Sequence, residues 1–261
     1  MVSPHVSRQN GRIVIYRQDF SRIGRKGTKK NELKPWKVKG WVIPPEQNAE
    51  FVAHMEQVLD VYKRSYDAFF PVVCMDESPE QLIETVRLEA MQPGKEKRVD
   101  YEYIRHGVAN IFMANEPLKG RRLVEVTKLK TKIEWARFIK RIADEMYPQA
   151  RRITLVMDNF GTHTIGAFYE TFSPEEAKRL IDRFEFVFTP KHGSWLNMAE
   201  IELHVLNAQC LNRHIATMEE MEKEILAWQE YRNNKNAVIN WQFTTKDARI
   251  KLKRLYPSFD N

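Results

Sequence analysis

Three acidic side chains occupy positions from which they could share a divalent metal ion. Asp158 follows an apolar, β-forming run at 153–157, and Asp76 follows a similar run at 71–75. Because the ligands of α/β sheets gather where strands end, these two carboxylates could lie side by side at one sheet edge. Glu200 lies downstream, where a loop runs into a helical pattern. Three carboxylates, with no cluster of thiols or histidines, predict an oxygen-rich site for Mg²⁺ or Mn²⁺.

Each acid also has an ordinary structural explanation. An Asp at the end of a strand is often a turn former or a helix cap, which explains Asp76 or Asp158 equally well when either is taken alone. The joint pattern of two strands and a helix favours a site. Glu202 competes with Glu200, because residues two apart on a helix differ by about 200° and only one can join the others. The acid left out would be a solvent-facing or salt-bridged helix residue.

The segments around these acids resemble the catalytic DDE domain of bacterial insertion-sequence transposases in the mariner superfamily. The likeness runs from about Lys30 to Pro257 and is most specific in the block His192-Gly-Ser-Trp-Leu-Asn197 and in the segment 243–257. It also includes Met75-Asp76-Glu77, Leu155-Val-Met-Asp158-Asn-Phe-Gly-Thr-His163 and Thr189-Pro-Lys-His-Gly-Ser-Trp-Leu-Asn-Met-Ala-Glu200. In the family's motif the acid comes three residues after a Leu-Asn pair, which selects Glu200 rather than Glu202.

The resemblance implies a fold, a site and a reaction. The fold is α/β and ribonuclease-H-like, with a mixed five-stranded sheet flanked by helices, and the reaction is DNA strand cleavage and strand transfer. Two metal ions about 3.5–4 Å apart can activate a water or a 3′-hydroxyl and stabilise the leaving oxygen. Asp76 would bridge both ions, while Asp158 and Glu200 would each bind one. Without cations, such clustered carboxylates repel one another and their pKa values rise.

Four further residues are expected to support the carboxylates. His163 and His192 could orient the Asp side chains, contact DNA phosphate, or be structural hydrogen-bonding residues. Asn159 and Asn197 are expected beside the ligands or at the start of the helix. Trp195 is expected to pack rather than to stack on a base. A serine hydrolase is disfavoured, because neither Ser194 nor His192 lies on a nucleophile elbow.

The net charge of +7 favours a polyanionic partner, here DNA in the form of transposon ends and target DNA. Between Arg22 and Lys39 the chain has eight Lys or Arg residues and one acid, which indicates either a solvated basic arm or a phosphate-contacting segment. We expect a homodimer assembled on DNA. The candidate DNA-contacting residues are Lys29, Lys30, Lys34, Lys37, Lys191, Arg249, Lys251 and Lys253.

The chain is expected to have two parts. Residues 1–45 form a basic N-terminal arm, a remnant of or linker from a DNA-binding region, and residues 46–261 form the catalytic domain. In similar transposases helix-turn-helix modules precede the counterpart of 29–36, and none is recognisable here, so we expect a truncated chain or an unrelated beginning. DNA binding should then be sensitive to salt and nearly indifferent to sequence.

The elements that must position the acids follow from periodicity and caps. After Asp76 an irregular stretch is expected, with an exposed loop at 93–98, followed by an antiparallel meander built from 101–104, 109–114 and 122–127. Ser173, Thr217 and Thr244 each begin a capping box that opens a helix. A possible strand lies at 12–16. The predicted helices cover 48–66, 131–147, 174–183 and 217–231, with a last one after Thr244.

Composition excludes several classes of protein. With 43% hydrophobic and 30% charged residues, the chain should be a soluble globular protein rather than a disordered one. Cys74 and Cys210 lie in apolar patterns and are expected to be core residues, not a disulfide or a zinc site. No apolar run of membrane-spanning length and no signal peptide is present, which predicts a cytoplasmic protein. Two other functions stay open: a metal-dependent nuclease or resolvase without strand transfer, and a non-catalytic remnant that binds DNA or a partner.

Overall fold

The structure, a computed structural model, describes residues 46–86, 102–159 and 161–258, together with the backbone of two short strands nearer the N-terminus. These strands are β1 (His5–Gln9) and β2 (Arg12–Tyr16), which pair antiparallel and confirm the strand predicted at 12–16. The predicted loop at 93–98 and the basic segment between Arg22 and Lys39 lie outside the described residues.

A mixed five-stranded sheet forms the centre of the molecule, as expected. Its order is β5-β4-β3-β6-β7, with antiparallel pairs among β3, β4 and β5 and parallel pairs between β3, β6 and β7. The parallel half contains the short, apolar strands that alternate with helices in the sequence. The strands are β3 (Val72–Thr85), β4 (Tyr103–Glu116), β5 (Arg121–Thr127), β6 (Ile153–Met157) and β7 (Phe184–Phe188).

The prediction that the first catalytic strand ends at Met75 is wrong. β3 continues through Asp76 to Thr85 and pairs with β4 along nearly its whole length. The segments predicted at 101–104 and 109–114 are accordingly parts of one strand, β4. Charged residues and Pro79 make this stretch look irregular, but long-range pairing with an apolar partner strand outweighs those local preferences. Asp76 therefore lies inside a strand rather than at its end.

Helices cover both faces of the sheet. All three predicted helix starts are confirmed: Ser173 and Thr217 accept hydrogen bonds from backbone amides three residues on, and Thr244 forms the full reciprocal capping box with Asp247. The full box predicted at Ser173 and Thr217 is limited to this one cap bond at each. α2 and α5 each continue into a π-helical turn, at 142–146 and 207–211. The helices are α1 (Ala49–Val61), α2 (Lys132–Arg141), α3 (Gly166–Thr171), α4 (Pro174–Arg183), α5 (Met198–Leu206), α6 (Met218–Asn234) and α7 (Thr245–Lys251).

The core alternates between the two faces along each strand, as the period of a strand requires. Val73 and Met75 pack with α2, α3 and α4, whereas Val72 and Cys74 pack with α1 and α7. A third cluster joins β4 to α5 and α6. Cys74 is buried and Cys210 only half-buried, and both are free thiols. Among the described residues, no helix has both the length and the apolar character needed to cross a bilayer.

Candidate active site

Parallel pairing of β3 with β6 brings the first two acids to the same level of the sheet. Val72 faces Thr154 and Cys74 faces Val156, so the same register carried two residues further sets Asp76 opposite Asp158. β6 ends at Met157, immediately before Asp158. The two carboxylates therefore lie at the carboxyl edge of the parallel strands, although β3 itself runs on.

Asn197 ties the third acid to β3. Its side-chain oxygen caps α5 by accepting from the amide of Ala199 at 3.1 Å. Its side-chain nitrogen donates to the carbonyl of Met75 at 2.8 Å and approaches a carboxylate oxygen of Asp76 at 3.4 Å. One amide group thus starts the helix and fixes it against the strand. Glu200, in the first turn of α5, is held near Asp76 by this link.

The acids are close enough to influence one another's charge. Burial is the main reason that the pKa of Asp76 is raised to about 7, and the carboxylates of Asp158 and Glu200 raise it further. The backbone amide of Glu77, which donates to Asp76 at 2.8 Å, acts in the opposite direction. The arrangement is an excess of negative charge around one partly buried carboxyl group.

A tight turn precedes α5. The amide of Gly193 donates to the carbonyl of Pro190 at 2.7 Å, and a Cβ atom at Gly193 would lie 2.4 Å from Cγ of Pro190. His192 has a φ of 64°, the left-handed conformation, and its side chain is exposed. The turn leads into a single 3-10 turn at Ser194–Leu196. The closeness of backbone and proline ring explains why a glycine stands at this position.

His163 contacts Asp158 from the protein interior. Its Nδ1 donates to the backbone carbonyl of Asp158 at 3.1 Å and lies 2.9 Å from Oδ1 of the same residue. Its Nε2 lies 2.9 Å from Glu77, whose other carboxylate oxygen is 3.1 Å from Nζ of Lys130. Burial would lower the pKa of His163, but the hydrogen bonds to Asp158 and Glu77 outweigh it and raise the pKa to about 9.

Sequence reasoning gave Glu77 and Lys130 no role. One signal was available for Glu77, because an acid directly inside an apolar strand must find a partner if it is buried. Nothing local indicates Lys130, which reaches Glu77 across the fold.

The donor set fits a hard divalent cation. Asp76, Asp158 and Glu200 supply only carboxylate oxygens, the ligands that Mg²⁺ and Mn²⁺ prefer. Oδ1 of Asp158 is buried and, although Nδ1 of His163 lies 2.9 Å from it, accepts no well-aligned hydrogen bond from any described residue, so that it could still accept a metal ion. A cation placed among these carboxylates would satisfy that oxygen and remove the repulsion around Asp76.

The other predicted site residues differ in their exposure and in their contacts. Asn159 and His192 are exposed, and Trp195 packs edge-on against Phe243 at 5.7 Å. Glu202 is buried and salt-bridged rather than solvent-facing: its carboxylate accepts from Arg122 at 2.7 and 2.8 Å and from Arg232 at 2.8 Å.

Of the proposed DNA contacts, four are described. Lys191, Lys251 and Lys253 are exposed, whereas Arg249 is already paired with Glu56 at 2.8 and 2.9 Å. Lys29, Lys30, Lys34 and Lys37 lie outside the described residues.

Comparisons with solved structures find transposase complexes. The Mos1 transposase paired-end complex with left transposon end matches with a TM-score of 0.53 and 15% identity over 84% of this chain and 65% of that one. The Mos1 mariner paired-end complex with Mn gives 0.52 and 14% over 87% and 67%, and the Mos1 strand transfer complex 0.51 and 13% over 92% and 68%. The chain thus spans a little under two thirds of the first of these. At such low sequence identity, the structural matches show a shared ribonuclease-H-like fold and nothing more.

The sequence itself identifies the family. A comparison with curated proteins found no match. The family model described as DDE superfamily endonuclease matches residues 71–222, a segment that contains Asp76, Asp158 and Glu200. Because this segment is more than half of the 261 residues, the chain belongs to the DDE superfamily of endonucleases.

Proposed function

We propose that this protein is a transposase that cleaves DNA at the ends of an insertion sequence and transfers the freed strand to a target. The observation that carries the proposal is that the carboxylates of Asp158 and Glu200 raise the pKa of Asp76, which lies opposite Asp158 in the register of β3 and β6. Membership of the endonuclease family and the fold shared with the Mos1 complexes support it.

Asp76, Asp158 and Glu200 would hold two Mg²⁺ or Mn²⁺ ions, and one of the Mos1 complexes was solved with Mn. Such ions supply an activated water or 3′-hydroxyl and stabilise the leaving oxygen. The chain's own residues hold the carboxylates in place: Asn197 links α5 to β3, and His163 supports Asp158 from behind. No covalent protein nucleophile is required.

The partner would be DNA, as transposon ends and as target, bound by a homodimer in the cytoplasm. Two of the Mos1 structures are described as a paired-end complex with a transposon end and a strand transfer complex. In this chain the exposed cations Lys191, Lys251 and Lys253 could contact phosphate, together with the basic arm.

The test is a nicking assay on supercoiled plasmid with Mg²⁺, followed by capture of a labelled insertion-sequence end into target DNA. Asp76→Asn, Asp158→Asn and Glu200→Gln should each reduce nicking by more than about 100-fold, because losing even an outer partner of a metal ligand costs roughly 10–100-fold. Glu175→Gln, an exposed acid on α4, is the matched control and should keep full activity.

The same assays separate the alternatives. Nicking without end capture would mean a nuclease or resolvase. No metal-dependent nicking by the wild-type chain would mean a DNA-binding remnant, and full activity in any of the three variants would refute the site.

A further inference from the structure

A buried row of side chains connects Asp158 to Lys130 behind the carboxylates. His163 lies between Asp158 and Glu77, at 2.9 Å from a carboxylate oxygen of each. Glu77 lies between His163 and Lys130, at 2.9 and 3.1 Å. The side chains of His163 and Glu77 are at most 1% exposed, so neither can reach a substrate in solution. The two ends of the row, Asp158 and Lys130, are partly exposed.

Packing fixes the row from a further side. The ring of His163 stacks on Trp135 of α2 at 5.4 Å between centroids, and Trp135 is itself buried. The imidazole therefore has little room to rotate. Lys130 offsets the charge of Glu77, which would be costly to bury alone.

We infer that His163 and Glu77 are positioning residues, which hold the Asp158 carboxylate in the orientation that binds metal. The inference rests on the proposed function, in which Asp158 is a metal ligand. One oxygen of Asp158 and its backbone carbonyl face the ring of His163, which fixes both the side chain and the backbone at the end of β6. Glu77 in turn holds the ring through the opposite nitrogen. Residues that hydrogen-bond to a metal ligand orient it, and their removal lowers the affinity for the metal.

Two pairs of substitutions distinguish the loss of a positioning hydrogen bond from the loss of side-chain volume. In His163→Asn the amide nitrogen can take the place of Nδ1 and still donate to Asp158, whereas in His163→Gln it takes the place of Nε2 and reaches only Glu77. Glu77→Gln keeps an oxygen that accepts from Nε2, whereas Glu77→Ala removes it. The control is Glu116→Gln, a buried acid in β4 whose partner is the hydroxyl of Tyr147 at 2.5 Å, outside the row.

The measurement is the dissociation constant of Mn²⁺ for the full chain without DNA, from calorimetry and from the EPR signal of the free ion. His163→Gln and Glu77→Ala should weaken Mn²⁺ binding by roughly 10–100-fold. His163→Asn, Glu77→Gln and Glu116→Gln should stay close to wild type. Circular dichroism melts identify any variant that does not fold, and the conservative variants then carry the comparison.

Three results would overturn the inference. Equal losses in His163→Asn and His163→Gln would mean that a donor to Asp158 is not what matters. A nitrogen coupling in the pulsed EPR spectrum of bound Mn²⁺ would make His163 itself a ligand, since Glu77, Asp158 and His163 have ligand atoms within 4.8 Å of one another. Unchanged binding in a folded Glu77→Ala would make the row purely structural.

Asp158→Ala separates this inference from the proposed function. If Asp158→Ala abolishes Mn²⁺ binding while Glu77→Ala does not change it, only the positioning role fails. If Asp158→Ala binds Mn²⁺ normally, the metal site itself is wrongly assigned.

Discussion

Gly193 determines how the chain approaches Glu200. Its hydrogen bond to Pro190 closes the turn, and any Cβ would overlap the proline ring and lie 2.9 Å from the Pro190 carbonyl oxygen. Gly193→Ala should therefore shift the turn and lower stability by about 1–3 kcal/mol, the usual cost of overpacking. Plasmid nicking should fall as well, because Asn197 and Glu200 follow directly.

The matched control for Gly193 is Gly166→Ala at the start of α3, where the nearest atom to the added carbon is 3.9 Å away. Urea unfolding and nicking of both variants provide the comparison. Wild-type behaviour of Gly193→Ala would show that the turn adjusts without moving α5.

At this scale the residue types indicate the three candidate acids but not all of their neighbours. Asp76, Asp158 and Glu200 stand out in the sequence because each of two apolar runs is followed by an acid and a third acid lies at the start of a helix. The contact between Glu77 and Lys130 could not be predicted, since it joins two parts of the fold that no local pattern relates. The sequence left His163 open between orienting an Asp side chain, contacting DNA phosphate and a structural hydrogen-bonding role, and its burial disfavours phosphate contact.

At the scale of elements, two side chains fix the position of α5, one at its N-cap and one in its second turn. Asn197 fixes the start to β3, and Glu202 fixes the opposite face to Arg122 of β5 and Arg232 of α6. Glu200 and Glu202 thus point to different sides, as the helical rotation requires.

Glu202→Ala would leave two guanidinium groups without their carboxylate, of which Arg122 is almost fully buried. Breaking a buried ion pair from one side typically costs about 3–5 kcal/mol, and we expect a loss of that size in urea unfolding. Nicking per folded molecule, measured well below the melting temperature, should be largely retained, because Glu202 does not face the other acids.

Glu219→Ala on α6 is the comparison for Glu202, since that side chain is exposed and its loss should change stability by no more than about 0.5 kcal/mol. A folded Glu202→Ala with no nicking activity would mean that the phase of α5 relative to the site is different.

Element boundaries were predictable where caps mark them and not where pairing decides them. Ser173, Thr217 and Thr244 mark their helices in the sequence. α3 was missed, because six residues are too few to show a helical period. The second half of β3 was missed because its stability comes from β4.

At the scale of the whole molecule, a charged network joins the helices on one face of the sheet. Glu176 of α4 binds Arg179 at 2.7 Å and also Lys140 of α2, and Arg179 reaches Asp144 at 2.8 and 2.9 Å. The hydrogen bonds from Arg179 and Lys140 lower the pKa of Glu176 from 4.5 to about 2.

A carboxyl group whose pKa is lower in the folded state stabilises the fold at pH values above its ordinary pKa. This contribution is lost as the pH falls through the pKa of the folded state. Glu176→Gln should therefore lower the melting temperature at pH 6, and the difference from wild type should shrink between pH 4.5 and pH 2. Glu175→Gln, an exposed neighbour, should differ little from wild type throughout. A difference for Glu176→Gln that is constant over this range would contradict the assignment.

The distribution of cations gives a prediction for DNA. Lys253 is exposed near the C-terminal end of the described residues, where it could contact phosphate. Lys253→Ala should reduce the slope of log K against log salt by about 1, since each phosphate contact releases about one counterion. Lys178→Ala on α4 removes the same charge from a residue already paired with Asp182, and should leave the slope unchanged. Equal slopes for both variants would place the DNA path elsewhere.

The sheet order itself was predictable only through the family resemblance. Strands without helices between them indicate an antiparallel half, and strands separated by helices indicate a parallel half, but periodicity does not specify which strand is central. β3 is central because it pairs antiparallel with β4 and parallel with β6, a property of the assembled chain.

The part of β3 that continues past Asp76 also bears on self-association. Along residues 77–85 the described pairing is with β4 alone, and an open strand edge is a template for another chain. Three positions that alternate along this edge offer no free N–H group to another strand. The amide of Glu77 donates to Asp76, Pro79 has no N–H, and the amide of Ile83 donates to the carbonyl of Ile215 at 2.8 Å. The proline that makes the stretch look irregular thus helps to protect the protein against edge-to-edge aggregation.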